Sequence, residues 1–124
     1  KSDQPRKQIV VISSSNAVLN TYSKLISSCG FESLGFQNPQ EAFEAFVFQR
    51  PEAIICDLFL NDITGMDLSR EAREIYTKED VPIIISTLQK NLDKECLQQE
   101  LDNAKINAIY EFPPKSNQIK SWIK

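Results

Sequence analysis

Ala53-Ile54-Ile55-Cys56-Asp57-Leu58-Phe59-Leu60 is the stretch on which the fold turns. Small and apolar residues run straight into an acid. An apolar run this short, β-branched at its centre, reads as a strand buried on both faces. Asp57 then stands at the carboxyl end of that strand. In an open parallel α/β sheet, that edge is where ligands and chemistry gather.

Working outward, the same kind of run recurs on both sides. Gln8 to Ile12 is a first strand, and Phe31 to Phe36 a short second one. Pro82-Ile83-Ile84-Ile85-Ser86-Thr87 is a fourth strand that ends in hydroxyls, and Ala108 to Phe112 a fifth. Helical patterns fill the gaps. After Ser13-Ser14-Ser15-Asn16, any of which can cap a helix, Val18, Leu19, Tyr22, Leu25 and Ile26 recur at helical spacing, and Gly30 stops the run. Asn38-Pro39-Gln40-Glu41 reads as a helix start, and Ala42, Phe43, Phe46 and Val47 as that helix's inner face before Pro51 breaks it. Asn61 to Gly65 is a turn-rich loop, followed by a helix from Met66 to Tyr76 with Leu68, Ala72 and Ile75 apolar. A polar amphipathic helix is expected over Leu92–Asn103, carrying Cys96, Leu97 and Leu101 on one side. Ser116 caps a last one that holds Ile119, Trp122 and Ile123.

Strands and helices thus alternate, five of each. The pattern calls for a parallel sheet covered on both faces, with right-handed crossovers. The five-stranded doubly wound version has strand order 2-1-3-4-5. That order brings Ser13-Ser14, Asp57, Thr87 and Pro113 around one crevice.

Composition excludes several classes. The chain has 124 residues, 41% hydrophobic and 25% charged, which fits one folded domain with one core. The expected division is a linker over 1–7 and the domain over 8–124. The polar start Lys1-Ser2-Asp3-Gln4-Pro5-Arg6-Lys7, without an initiator Met, reads as a piece of something longer. A net charge of −3 with no basic stripe argues against nucleic acid as a partner. Cys29, Cys56 and Cys96 are odd in number and far apart, no Cys-x-x-Cys occurs, and histidine is absent. A disulfide framework or zinc site is not expected, and a reducing cytoplasm fits. No apolar stretch approaches the ~20 residues a membrane span needs. Without histidine a Ser-His-acid triad is impossible, and no Gly-x-Ser-x-Gly elbow is present, so a small hydrolase is set aside.

From Gln8 to its last helix, the chain resembles a response-regulator receiver domain of two-component signalling, a flavodoxin-like (βα)5 fold. An acid ends strand 3, and Gly65 follows Asp57 by eight residues, as in that family's post-acceptor loop. Pro82 opens strand 4, and Thr87 closes it where the family keeps its switch hydroxyl. Tyr110 lies in strand 5 where the family often has an aromatic, and Pro114 matches the proline of the family's Lys-Pro step. The resemblance implies phosphoryl transfer from the phosphohistidine of a histidine kinase or phosphotransfer protein to Asp57, a signalling role rather than an enzyme's. Such transfer is catalysed by position and by cations that neutralise the phosphoryl oxygens. In the family those cations are Mg²⁺, held by an acidic pair after strand 1 together with the acceptor, and a lysine after strand 5.

The chain departs from the family at both places. Ser13 and Ser14 stand where the acidic pair belongs, and Pro113 where the lysine belongs. Mg²⁺ wants anionic oxygens, and Asp57 with a backbone carbonyl near Phe59 leaves one formal negative charge, so metal binding is expected to be weak or absent. Proline has neither charge nor N–H to bridge a phosphate to Thr87. Nothing in the spacing directs Lys90 or Lys115 inward. Two functions follow. One is a receiver that still takes phosphate on Asp57. The other is a phosphorylation-independent pseudo-receiver, a protein–protein module working through the face around Leu92–Asn103, Tyr110 and Ser116–Lys124, which the family also uses for dimers.

Each residue also has a plainer reading. Asp57 serves as a loop acid capping the next turn, Thr87 as a strand former, and Tyr110 as core. Ser13-Ser14-Ser15 reads first as helix capping. The sharper reading, an anion site at a helix start, lacks a Gly-rich loop beside it.

Overall fold

Alternation along each strand sorts the apolar residues of the sheet onto two sides. Val10, Ile12, Ile54, Cys56, Ile83 and Ile85 join one buried cluster, and Ile9, Val11, Ile55 and Ile84 the other. Because both faces are apolar, both need covering, and the helices between the strands supply the cover. The structure, a computed structural model, describes residues 7–58, 60, 63–77, 80–87, 102, 105–112 and 114–122.

The elements run β1 (Gln8–Ile12), α1 (Asn16–Ser28), β2 (Glu32–Phe36), α2 (Pro39–Phe48), β3 (Ala53–Asp57), α3 (Gly65–Ala72), β4 (Ile83–Thr87), β5 (Ala108–Glu111) and α4 (Ser116–Trp122). All strand pairs are parallel, in the order β2-β1-β3-β4-β5, as the alternation predicts. Val18, Tyr22 and Ile26 of α1 and Ile119 of α4 cover one face. Ala42 and Phe46 of α2 and Leu68 and Ala72 of α3 cover the other. Each fully buried isoleucine of the central strands contributes about 1.5–3 kcal/mol relative to an exposed one. The expected Leu92–Asn103 helix lies outside the described residues but for Asp102, as do Phe59, Lys90 and Pro113. Among the described residues no helix is long and apolar enough to cross a membrane.

Local chemistry sets the boundaries. Ser15 caps α1, its hydroxyl accepting from the Val18 N–H. Asn38 caps α2 by accepting from the Gln40 N–H at 2.8 Å, with Pro39 in the first turn. Thr64 and Asp67 form a reciprocal capping box at α3.

The helix expected from Met66 to Tyr76 ends early. Beyond Ala72, the Glu74 and Ile75 N–H groups reach back three residues, to Glu71 and Ala72, so the chain tightens out of α geometry. Ile75 is consequently 44% exposed instead of joining the apolar stripe. Val47 was expected on the inner face of α2 but is 51% exposed. The stripe that meets the sheet centres on Ala42 and Phe46, and Val47 falls past its edge. The last helix starts one residue before expectation. Ser116 is its first residue, and the preceding Lys115 N–H donates to Gln118 Oε1 at 2.9 Å.

Candidate functional site

The carboxyl ends of β1, β3 and β4 lie side by side and carry polar residues: Ser13 just past β1, Asp57 at the end of β3, and Ser86 and Thr87 at the end of β4. Ser13 extends the β1–β2 ladder, its N–H donating to the Phe36 carbonyl at 3.0 Å. It is fully buried, and its hydroxyl donates to Asp57 Oδ2 at 2.5 Å while accepting from the Ser15 N–H at 3.1 Å. Of the three serines read as caps, Ser15 alone caps α1. Ser13 turns inward to the acid, and the Ser14 carbonyl accepts from Gln37 Nε2 at 3.2 Å. The donors that an anion site would need from Ser13 and Ser15 are thereby spent within the turn and on Asp57.

Burial pushes the Asp57 carboxyl above the usual carboxylate range, and the Ser13 hydroxyl opposes that shift by stabilising the charged form. The Asp57 backbone is held as firmly as its side chain. A Cβ built on Gly65 would lie 2.5 Å from the Asp57 carbonyl oxygen and 2.9 Å from Ile85 Cδ1. Only a residue without a side chain permits that approach. The Gly65 N–H donates to the Leu58 carbonyl, and the Leu58 N–H to the Ser86 carbonyl, both at 2.8 Å. Cys56, on the opposite face, is completely buried. Burial and the nearby Asp57 charge push its thiol well up, so it acts as a small hydrophobe.

Thr87 is buried at the end of β4, one residue past the register partner of Asp57, and its carbonyl accepts from the Phe112 N–H at 2.8 Å. Strand alternation puts it on the side of Ile83 and Ile85. Tyr110 pairs in register with Ser86 on β5. Lys115 is exposed.

Two residues that sequence reasoning missed sit against the acid. Ser86 is the register partner of Asp57, and Tyr22 of α1 is fully buried with its hydroxyl toward Ser86. Burial and the Asp57 charge push the phenol far up, while Ser86 acts the other way. The signals were a polar tip in the apolar stripe of α1 and a hydroxyl one place before the expected Thr87.

The family model described as "Response regulator receiver domain" matches residues 9–105. The chain belongs to that family. It is similar to the polar-differentiation response regulator DivK of Brucella anthropi, 21% identical over 118 residues, which are 94% of this chain and 96% of that one. It is 31% identical over 83 residues to the aerobic respiration control sensor protein ArcB of Escherichia coli, covering 67% of this chain but 10% of that protein. Among solved structures, the chemotaxis protein CheY4 of Vibrio cholerae superimposes with a TM-score of 0.79 at 17% identity, over 94% of both chains. The receiver domain from Clostridium thermocellum gives 0.76 at 21% identity, over 93% of this chain and 89% of that one. The chain is therefore a receiver domain of two-component signalling, with the CheY-like flavodoxin fold. Receiver domains are signalling domains rather than classical enzymes.

Proposed function

We propose that Asp57 is the phosphoacceptor of this receiver, loaded by a histidine kinase or phosphotransfer protein, in a pocket where hydroxyls stand in for cations. The observation that carries this reading is the placement of the Asp57 carboxyl. It stands at the end of β3, its backbone wedged on Gly65 and its Oδ2 held by Ser13. Ser13 leaves Oδ1 to attack. In the transfer, the P–N bond to the donor imidazole breaks, its electron pair stays on nitrogen, and a P–O bond to Asp57 forms. Positioning supplies much of the rate in such a step, because an oriented pair no longer has to find each other.

Receiver domains typically bind Mg²⁺ at an acidic pocket. Among the described residues no three His, Cys, Asp or Glu side chains come together. Among the described residues, the site offers one carboxylate and a serine hydroxyl that already donates to it. That donor set does not suit a hard divalent ion, and the mechanism assigns it no step. Thr87, one residue past the register partner of Asp57, is the hydroxyl we assign to receive a phosphoryl oxygen, and Tyr110 is the aromatic of the last strand.

The Ser13–Asp57 bond also favours a second reading, a pseudo-receiver that binds partners without phosphorylation. A hydroxyl clamped on a half-buried carboxyl is a stable resting arrangement. Its partner face would include α4, whose Asn117, Gln118, Lys120 and Ser121 are exposed, and a homodimer through that face belongs to the same reading. Incubation with a phosphorylated kinase separates the two. Label that alkali or hydroxylamine releases and that Asp57→Asn abolishes supports the acceptor; no transfer from any donor kinase leaves the pseudo-receiver.

A further inference from the structure

On the α1 side of the sheet, beside Asp57, sit two hydroxyls that the transfer chemistry above does not use. Ser86 lies directly across the ladder from Asp57 and is 1% exposed. Tyr22 enters from α1, fully buried, its ring tilted against Phe112 with centroids 5.4 Å apart. Neither the Tyr22 hydroxyl nor Ser86 Oγ has a hydrogen-bond partner among the described residues. The two lie close enough for Ser86 to act on the phenol, yet they form no bond of acceptable geometry, and the Asp57 charge reaches the phenol as well.

A buried hydroxyl without a partner carries its whole desolvation penalty. Phe in place of Tyr22 and Ala in place of Ser86 would remove both penalties with little change of shape. Two orphans side by side, both next to a half-buried carboxyl, share one outlet for their protons. We propose that Tyr22 and Ser86 are positioning residues for Asp57: the phenol donates to Ser86 Oγ, and Ser86 donates to the carboxyl as it reacts. With Ser13 on Oδ2, this relay fixes the carboxyl in one rotamer from a second side. A buried phenol that stays protonated is suited to head such a relay, since each bond in a chain strengthens the next. The chemistry lost with the acidic pair and the lysine is replaced by neutral donors. The inference rests on the reading of Asp57 as acceptor, but it makes a claim about Tyr22 and Ser86 that holds or fails separately.

The test uses the whole chain and phosphoramidate, which passes its phosphoryl group to a carboxylate as the P–N bond breaks and ammonia leaves with the electron pair. Tyr22→Phe and Ser86→Ala should each slow labelling of Asp57 by about tenfold, and Ser86→Thr, which keeps the hydroxyl, should stay within about twofold of wild type. Urea midpoints give a second readout. In a double-mutant cycle, Tyr22→Phe should shift the midpoint differently in wild type and in the Asp57→Ala background, because the carboxyl on which the hydroxyls act is gone there. Merely orphaned hydroxyls behave the opposite way: Tyr22→Phe and Ser86→Ala then raise the midpoint equally in both backgrounds and leave labelling unchanged. That result overturns the proposal. If the wild-type chain takes no label, the acceptor reading fails, and the cycle alone decides the relay: coupling supports it, additivity ends it.

Discussion

The Ser13 hydroxyl donates to Asp57 Oδ2 at 2.5 Å, joining the carboxyl ends of β1 and β3 across 44 positions of sequence. Ser13 is fully buried and Asp57 half-buried. A hydrogen bond to an ionised partner contributes about 1.5–3 kcal/mol. Ser13→Ala should therefore lower the unfolding free energy at neutral pH by roughly that amount, read from urea denaturation. A variant as stable as wild type would mean that the carboxyl finds equal solvation elsewhere.

Replacing Asp57 by Asn tests the electrostatics by their pH dependence. Burial raises the Asp57 pKa in the folded state, so folding favours the protonated form. The stabilisation from this group is complete below the unfolded carboxylate value and is lost as pH rises through the raised folded value. At neutral pH the ionised acid is a burden, and Asp57→Asn should melt at a higher temperature than wild type. The gain should shrink as pH falls below the folded value. Melting curves across acid to neutral pH check the sign, and an Asn variant less stable than wild type at neutral pH contradicts it.

Gly65 is held against the backbone of the acceptor itself. Gly65→Ala sets a methyl group 2.5 Å from the Asp57 carbonyl oxygen, where backbone cannot give way easily. We expect a loss of about 1–3 kcal/mol from overpacking. Because the displaced atom belongs to Asp57, labelling by phosphoramidate should fall as well. Unchanged labelling in a destabilised variant would show that the loop absorbs the strain without moving the carboxyl.

Arg73 works at the other edge of the sheet. Its guanidinium donates to the carbonyls of Lys105, Tyr76, Thr77 and Val81 and to Asn107 Oδ1. Asn107 Oδ1 also accepts from the Ile83 N–H. This fork ties the end of α3 to the starts of β4 and β5. Arg73→Ala should cost about 2–3 kcal/mol, and Arg73→Lys should recover only part, since an ammonium cannot reproduce the planar fork. Labelling of Asp57 per folded molecule should not change in either variant.

Strand placement and order were legible because short continuous apolar runs between helical patterns admit few arrangements. Of the residues expected around one crevice, Ser13 and Asp57 meet, Thr87 ends β4 on the side of Ile83 and Ile85, and Pro113 lies outside the described residues. Helix ends were less legible. The premature stop at Ala72 accompanies i→i−3 bonding next to the fork on Arg73, a set of contacts whose partners are up to 34 positions away. Val47 was misplaced because one residue of helical rotation separates an inner from an outer position. Tyr22 and Ser86 were invisible as a pair. Each looked like ordinary core in its own element, and only the ladder register and the packing of α1 bring them to the acid.

The most direct measurement is the Mg²⁺ affinity of the chain, by calorimetric titration, beside that of Ser13→Asp/Ser14→Asp. A pocket in which hydroxyls have replaced carboxylates predicts binding weaker than millimolar for the wild-type chain and a clear gain for the double variant. Millimolar or tighter binding by the wild-type chain, lost in Asp57→Asn, would contradict the account.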